Sequence, residues 1–508
     1  LSHIAVLDFG SQYTLLIVRR IRELGVESRV YPGSVGADEL EDVGGVVLSG
    51  GPGSVYEEGA LLPDRSVFDM GVPILGICYG MQAMAQMLGG RVEAVGEKEF
   101  GDTEFDVVYE SKLFLDMPSE FRVWMSHGDE VVEVPPGFVV SGITKAGKVA
   151  AIEDASRRFY GLQFHPEVVH TPRGMDVLSN FVFRICRLKE NWSMRDFVEE
   201  KIKELRETLV DGRVVCGISG GVDSATAAVL VNRAVGGRLI SIFVNNGLLR
   251  KGEEKDVLRI LRDELGLNVV YVDASLRFLQ ALSGVVDPEE KRRVIGREFI
   301  KVFEEVASEI KDVKYLLQGT LYPDVIESGA GGFKAHRIKS HHNVGGLPEK
   351  MKLQVIEPFR YLFKDEVRKV AVELGVPDFV INRHPFPGPG LAVRVVGEIT
   401  ARRLEILKEA DKIVEDEIRR AGLYDKVWQA FAVLLPVKTV GVKGDRRSYE
   451  NAVVLRVVDS KDGMTADWVR LPYEVLERMS NRIINEVKGV NRVVYDVSTK
   501  PPSTIEWE

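Results

Sequence analysis

Short apolar runs, each closed by small or polar residues, recur along the chain, and stretches of helical period separate them. In the first third, IAVLDFG, GVVLSGG, VPILGIC and FYGLQFHPE read as strands. Near-continuous apolar runs suit strands buried on both faces, so the pattern predicts an α/β block with a mostly parallel sheet. Residues 188–210, LKENWSMRDFVEEKIKELRETLV, are charged, keep a helical period and predict a connector helix. A second α/β block opens at Val214, with VVCGIS, LISIFVN, NVVYVDA and YLLQGT as its strands. Residues 328–350, SGAGGFKAHRIKSHHNVGGLPEK, are Gly-rich, basic and aperiodic, which predicts a long mobile loop. A third block starts near RHPFPGPGLAV, with a helical period over 399–423, then strands, one more helix and a terminal strand. No fixed-period repeat is present. The expected architecture is α/β: two doubly wound, mostly parallel-sheet domains over 1–187 and 188–382, and a smaller α+β domain over 383–508.

Composition narrows the class. A chain of 508 residues exceeds a single core. No apolar run reaches the length of a membrane span, and no signal-peptide pattern opens the sequence. The net charge of −9 argues against nucleic acid as a partner and leaves room for a small anion in a local basic pocket. Cys78, Cys186 and Cys216 are too few and too scattered for a disulfide framework or a zinc site, which points to a reducing cytoplasm.

GICYGMQ sets Cys78 between the strand VPILGI and a helix, with Gly76 and Gly80 beside it. The glycines let the backbone turn sharply, and the helix N-terminus favours a thiolate. Such a nucleophile needs a base, and the base an orienter. FHPE offers His165 with Glu167 two residues on. The turn SGGPGS offers the Gly51 N–H to an oxyanion, and the Tyr79 N–H is a second donor. A lone buried cysteine is more often core than nucleophile, but the elbow and the later HPE in one α/β block point to chemistry. This combination resembles the class I glutamine amidotransferases over about the first 187 residues. The resemblance implies that Cys78 attacks the side-chain amide of glutamine, that His165 shuttles the proton and that Glu167 orients His165. It implies that Gln82 and the SHGD turn, with Ser126 and His127, hold the substrate. His127 is a rival for the base, but its polar turn suits binding.

The second constellation is Ser219-Gly220-Gly221-Val222-Asp223-Ser224, directly after a buried strand and at the start of a helix. Successive backbone N–H groups in such a turn make an anion nest, and the two serine hydroxyls add donors. Asp223 repels phosphate unless a cation intervenes, so it is read as a Mg2+ ligand. The plain alternative is a helix cap. SGGxDS resembles the loop of the ATP pyrophosphatases, which implies that it holds the pyrophosphate leaving ATP. The loop carries no lysine. The positive charge is expected from Lys364 in LFKDEVR, or from Lys339, His341 and His342 in a loop that closes over bound substrate.

The runs RHPFPGPGL, LLPVKTVGVKGDRRSYE, NRVVYDVS and KPPSTIEWE extend the likeness almost end to end, to the glutamine-hydrolysing GMP synthetases. The resemblance implies that ATP adenylylates xanthosine monophosphate (XMP) and that ammonia from glutamine displaces AMP to give GMP. The XMP phosphate calls for cations: Arg292 is favoured by the resemblance over Arg293 and Arg297, and Lys500 suits the same anion. Glu506 would accept from the purine or ribose, and Ile505-Glu506-Trp507 suggests a docked tail rather than a frayed one. Asp324 is expected to line the nucleotide site. Asn245 is expected near the adenosine of ATP, at a position where relatives often carry Asp. The third block is implied to form a homodimer. The rivals are another glutamine-dependent ATP pyrophosphatase, and a regulator with a dead glutaminase, which would be expected to lack Cys78, His165 or Glu167.

Overall fold

Four near-continuous apolar runs of the first block form strands as predicted; they lie side by side, and a fifth strand joins them at one edge. The computed structural model describes residues 2–321, 324, 353–443, 445–460 and 465–508. The described residues up to Phe197 form one compact unit, and those from Val198 onward a second.

The first unit is built on nine strands: β1 (His3–Asp8), β2 (Ser28–Pro32), β3 (Val43–Leu48), β4 (Ile74–Ile77), β5 (Arg91–Val107), β6 (Glu120–Glu133), β7 (Val139–Thr144), β8 (Val149–Asp154) and β9 (Phe159–Leu162). They form one sheet in the order β2-β1-β3-β4-β9-β8-β7-β5-β6. The pairings from β2 to β9 are parallel. Those from β9 to β6 are antiparallel. Ile4 to Leu7, Val46 to Leu48 and Ile74 to Ile77 carry no exposed apolar surface, as expected for strands covered on both faces. The helix Tyr79–Met87 follows β4 and is buried from Tyr79 to Ala85. Met81 and Met84 pack with Leu7, Leu48 and Ile74 in one core.

The second unit opens with β10 (Arg213–Gly217), β11 (Leu239–Asn245), β12 (Val269–Asp273), β13 (Val313–Leu317) and β14 (Gln354–Ile356). These strands are all parallel, in the order β12-β11-β10-β13-β14. The chain therefore winds one way from β10 and later resumes on its other side. The loop after β10 lies at this switch point, where the crevice outside the strand ends holds ligands in doubly wound folds. Beyond it, β15 (Gln429–Lys443) and β16 (Arg446–Asp459) form a long antiparallel pair. β17 (Asp467–Trp468) and β18 (Val490–Tyr495) complete that sheet, the latter parallel to β16. The helices Ala401–Arg420 and Tyr473–Glu486 carry apolar stripes that bury Leu404, Leu407, Val414, Val475, Met479 and Ile483. One apolar core runs from Val215 through these helices to Val490, so the parallel and mixed sheets of this unit share their packing.

Candidate active site

β4 ends at Ile77, and Cys78 caps the next helix with φ 52° and ψ −110°. A non-glycine residue rarely sits there, and such strain clusters at functional sites. The neighbours explain how the turn is tolerated. A Cβ on Gly76 would stand 2.6 Å from the Met81 nitrogen, and one on Gly80 would overlap the Leu48 carbonyl. The elbow is held by the Cys78 N–H, which donates to Leu162 O at 2.6 Å. The Cys78 Sγ lies 3.7 Å from Ser126 O and 3.7 Å from Gln163 Nε2.

His165 follows β9. Its N–H donates to Trp124 O at 3.1 Å, and its carbonyl accepts from Thr171 Oγ1 at 2.7 Å. Its Nδ1 meets Glu167 Oε1 at 2.7 Å, with side-chain exposures of 4% and 0%. A carboxylate only accepts, so Nδ1 carries the hydrogen and Nε2 is left for another partner. Burial opposes a charged ring, but the Glu167 carboxylate and the hydrogen-bonding Cys78 outweigh it and hold the His165 pKa well above the usual imidazole range. Tyr13 closes one side, edge-on at 5.2 Å between ring centroids. On another side a Cβ on Gly50 would come within 3.3 Å of His165 Cε1. Cysteine, imidazole and carboxylate therefore stand together in one buried cluster.

Gly51 lies against Tyr79: a Cβ there would be 3.1 Å from the ring. The Tyr79 side chain turns away and donates to Leu61 O at 2.9 Å. The buried Gln82 donates from Nε2 to Asp129 O at 2.9 Å and to Gln163 Oε1 at 3.2 Å. Ser126 faces the sulfur through its carbonyl. The buried His127 contacts the Asp129 carbonyl through Nδ1 at 2.9 Å. Gln163 and Asp129 were not singled out by sequence reasoning, yet they join Gln82 and His127 to the sulfur. The available signal was a glutamine inside the apolar run FYGLQF, and Gln163 is 0% exposed.

In the second unit the helix Val222–Val235 begins at Gly221. Gly220 has φ +75°, and a Cβ there would press within 2.7 Å of Val257. The serines tie the turn together: Ser219 Oγ and Ser224 Oγ are 3.2 Å apart, and Ser224 Oγ donates to Gly221 O at 3.2 Å. Lys364 Nζ stands 3.8 Å from Asp223 Oδ2. Burial raises the Asp223 pKa, the Lys364 and Arg368 cations pull it down, and Asp324 pushes it up again. Asp223 Oδ1 is buried without a hydrogen-bond partner among the described residues. Asp324 accepts from the Leu321 N–H at 2.9 Å. Arg383 donates to Gly220 O at 3.1 Å and pairs with Glu253. Neither Arg368 nor Arg383 stood out in the sequence. Asn245 ends β11. It bonds Glu254, Tyr271 Oη at 3.2 Å and, through Oδ1, the Gly247 N–H at 2.9 Å. Lys339, His341 and His342 lie outside the described residues.

The class-I glutamine amidotransferase family model matches residues 5–185. The NAD synthase model matches 192–293, and the GMP synthase C-terminal domain model matches 416–507. A GMP synthase [glutamine-hydrolyzing] of Solidesulfovibrio magneticus is 58% identical over 99% of this chain and 99% of its own length. Those of Aquifex aeolicus and Brachyspira hyodysenteriae are 55% and 53% identical, over 99% and 100% of this chain and 99% of each relative. The chain belongs to the glutamine-hydrolysing GMP synthase family. The NAD synthase match reflects the ATP pyrophosphatase fold of the second unit, and the C-terminal match sets the GMP synthase family apart from it. No described helix is long and apolar enough to cross a membrane.

The C-terminal segment gathers the remaining charged positions singled out for this family member. Both Glu506 oxygens accept from the fully buried Arg394, at 2.9 and 2.8 Å, and Gln429 Nε2 donates to Oε1 at 3.1 Å. Arg394 and Gln429 were absent from the sequence-based set. Arg292, on the helix Pro288–Glu309, donates to the Glu508 main-chain oxygen at 2.6 Å. Lys500 is fixed through its backbone, with its N–H donating to Ala466 O at 2.8 Å. Trp507 Nε1 donates to Asp496 at 3.0 Å, so this tail lies docked.

Proposed function

We propose that this chain converts XMP, ATP, glutamine and water to GMP, AMP, pyrophosphate and glutamate. The observation that carries the reading is full-length likeness to GMP synthases in a chain that also brings Cys78, His165 and Glu167 together. The Cys78 sulfur attacks the glutamine amide carbon, and the N–H groups of Gly51 and Tyr79 receive the developing oxyanion. His165 delivers a proton to the departing nitrogen, ammonia leaves, and a thioester remains on Cys78. Water that gives its proton to His165 then releases glutamate. Glu167 keeps Nε2 of His165 aimed at the reacting atoms. Gln82, Ser126 and His127 line the glutamine site.

In the second unit the C2 oxygen of XMP displaces pyrophosphate from the α-phosphorus of ATP. The N–H groups of the turn Ser219-Gly220-Gly221-Val222-Asp223-Ser224 hold the leaving pyrophosphate, with Lys364 as the nearby cation. Ammonia then adds at C2, and the oxygen departs with AMP. Asn245 contacts the adenosine as an uncharged amide. The buried, unpartnered Oδ1 of Asp223 fits a carboxylate ligand to Mg2+. Magnesium bound there with the ATP phosphates would offset the charge of the leaving group. Arg292 and Lys500 meet the XMP phosphate, and Glu506 its purine or ribose.

Three functional regions follow: a glutaminase over 1–187, an ATP pyrophosphatase over 188–382, and a dimerisation and XMP-binding region over 383–508. Val440, Val442 and Tyr449 are 55%, 74% and 66% exposed. Val440 and Tyr449 are cross-strand partners in the β15–β16 pair. This apolar face suits a second copy of the chain in a homodimer. The whole reading is tested by mixing the protein with ATP, Mg2+, XMP and glutamine. GMP, AMP and pyrophosphate should appear in equal amounts, with ammonium able to replace glutamine. Pyrophosphate release that ignores XMP would end it.

A further inference from the structure

Among the described residues, three basic side chains are fully buried: Lys291, Arg394 and Arg456. All three find acidic or carbonyl partners in the final stretch of the chain. Arg456 donates to Ser498 O at 2.7 Å and Thr504 O at 3.1 Å, and lies 3.4 Å from the Asp496 carboxylate. Arg394 grips Glu506 with two bonds. Lys291 pairs with the Glu508 carboxylate and donates to Val395 O at 2.8 Å. A buried cation that loses its partner is strongly destabilising. The tail therefore completes a basic surface that is unfavourable without it.

Glu508 has a second task that Asp496 and Glu506 do not share. One carboxylate oxygen meets Lys291 and the other accepts from the Gly397 N–H at 2.9 Å, so the residue is pinned from two elements. Its main-chain oxygen then accepts from Arg292 Nη2 at 2.6 Å. Arg292 adjoins Lys291 on one helix, and its side chain is 33% exposed. A guanidinium has five N–H donors. Glu508 takes one and Glu289 another at 3.3 Å, which leaves donors for an anion.

We propose that Glu508 is a positioning residue for the substrate nucleotide. It neutralises the buried Lys291 and anchors the Arg292 guanidinium, so the phosphate subsite is assembled only when the tail is seated. This rests on the reading above that Arg292 meets the XMP phosphate. It adds that the subsite is built by a contact between the end of the described chain and a buried lysine over 200 residues earlier.

The test uses the full chain and ammonia-dependent GMP formation. Glu508→Gln is expected to raise the KM for XMP about tenfold or more, with kcat within twofold and the KM for ATP unchanged. The double variant Lys291→Met/Glu508→Gln removes both charges and should bring the KM for XMP back to within threefold of the parent. It also keeps the question open should the single variant fail to fold. A KM for XMP within twofold of the parent in Glu508→Gln overturns the proposal. So does an equal rise in both KM values, or a double variant that does not recover. If the parent protein makes no GMP from XMP and ammonia, the underlying functional reading falls instead.

Discussion

His165 and Glu167 flank a single proline and meet at 2.7 Å with both side chains almost wholly withdrawn from water. The carboxylate sustains the charged ring against burial. In Glu167→Gln that support is gone while burial still opposes the charge, so the His165 pKa should fall. Glutamine hydrolysis should drop by about 10²–10⁴-fold, the usual worth of a positioned acid–base group. Ammonia-dependent GMP formation should stay within twofold. A titration of the imidazole by NMR alongside both assays checks this.

The same pair predicts a pH dependence of stability. The folded ring has a pKa raised above its ordinary value of 6.5. Its contribution to stability is therefore fully present below about pH 6.5 and fades as the pH rises through the raised folded value. Glu167→Gln should flatten that slope. Chemical denaturation of parent and variant at matched pH values on either side of neutrality measures it.

Gln163 links Gln82 to the Cys78 sulfur, and all three side chains are buried. Gln163→Leu keeps the volume roughly constant but strips Gln82 of an acceptor. A buried donor left unmatched costs about 1–3 kcal/mol. Glutamine turnover should lose about tenfold in kcat/KM, while ammonia-dependent synthesis holds. An unchanged glutamine kcat/KM would show that the amide chain is only packing.

The Cys78 elbow was legible because its signals are local: an apolar strand, a glycine on each side of the cysteine, then a helix. The Ser219–Ser224 turn was legible for the same reason. The antiparallel half of the first sheet was not. β6 alternates exposed and buried positions, with Phe121, Val123 and Met125 inward and Glu120 and Arg122 outward, so no continuous apolar run marks it. Arg368 was hidden by its setting, a charged helix whose outward and inward cations look alike in sequence. The partners of Lys291, Arg394 and Arg456 were out of reach because each lies far along the chain. Buried polar pairing at long separation leaves no periodic trace.

Gly80 packs its Cα against the carbonyl of Leu48, where a methyl group has no room. Gly80→Ala must shift either β3 or the helix Tyr79–Met87. Overpacking of this kind costs about 1–3 kcal/mol. It also displaces the Tyr79 N–H proposed for the oxyanion. Thermal unfolding of the full chain should begin earlier, and glutaminase activity should fall more steeply than stability does. A variant with parental glutaminase activity would remove Tyr79 from the oxyanion role.

The exposed cluster of Val440, Val442 and Tyr449 predicts self-association. Val440→Glu with Val442→Glu places like charges on both copies of a two-fold contact. Light scattering should report a dimer for the parent and a monomer for the double variant. A parent that is monomeric at micromolar concentration would refute the homodimer.

Lys364 stands 3.8 Å from Asp223 of the glycine turn, and the proposed function gives the two residues different tasks. Lys364 is the cation proposed to meet the pyrophosphate, while Asp223 Oδ1, which has no hydrogen-bond partner among the described residues, suits a metal. Lys364→Gln should slow pyrophosphate release by about 10²–10³-fold, as expected when a charge aimed at a developing anion is lost. Because the lysine also lowers the Asp223 pKa, its removal should raise that pKa further. Asp223→Asn should impair synthesis with either nitrogen source. Chelating divalent metal should stop pyrophosphate release from the parent while glutamine hydrolysis continues, since the chemistry proposed for Cys78 and His165 uses no metal. If Lys364→Gln releases pyrophosphate at the parental rate, the charge must come from another residue, and Arg368 and Arg383 are the next to replace.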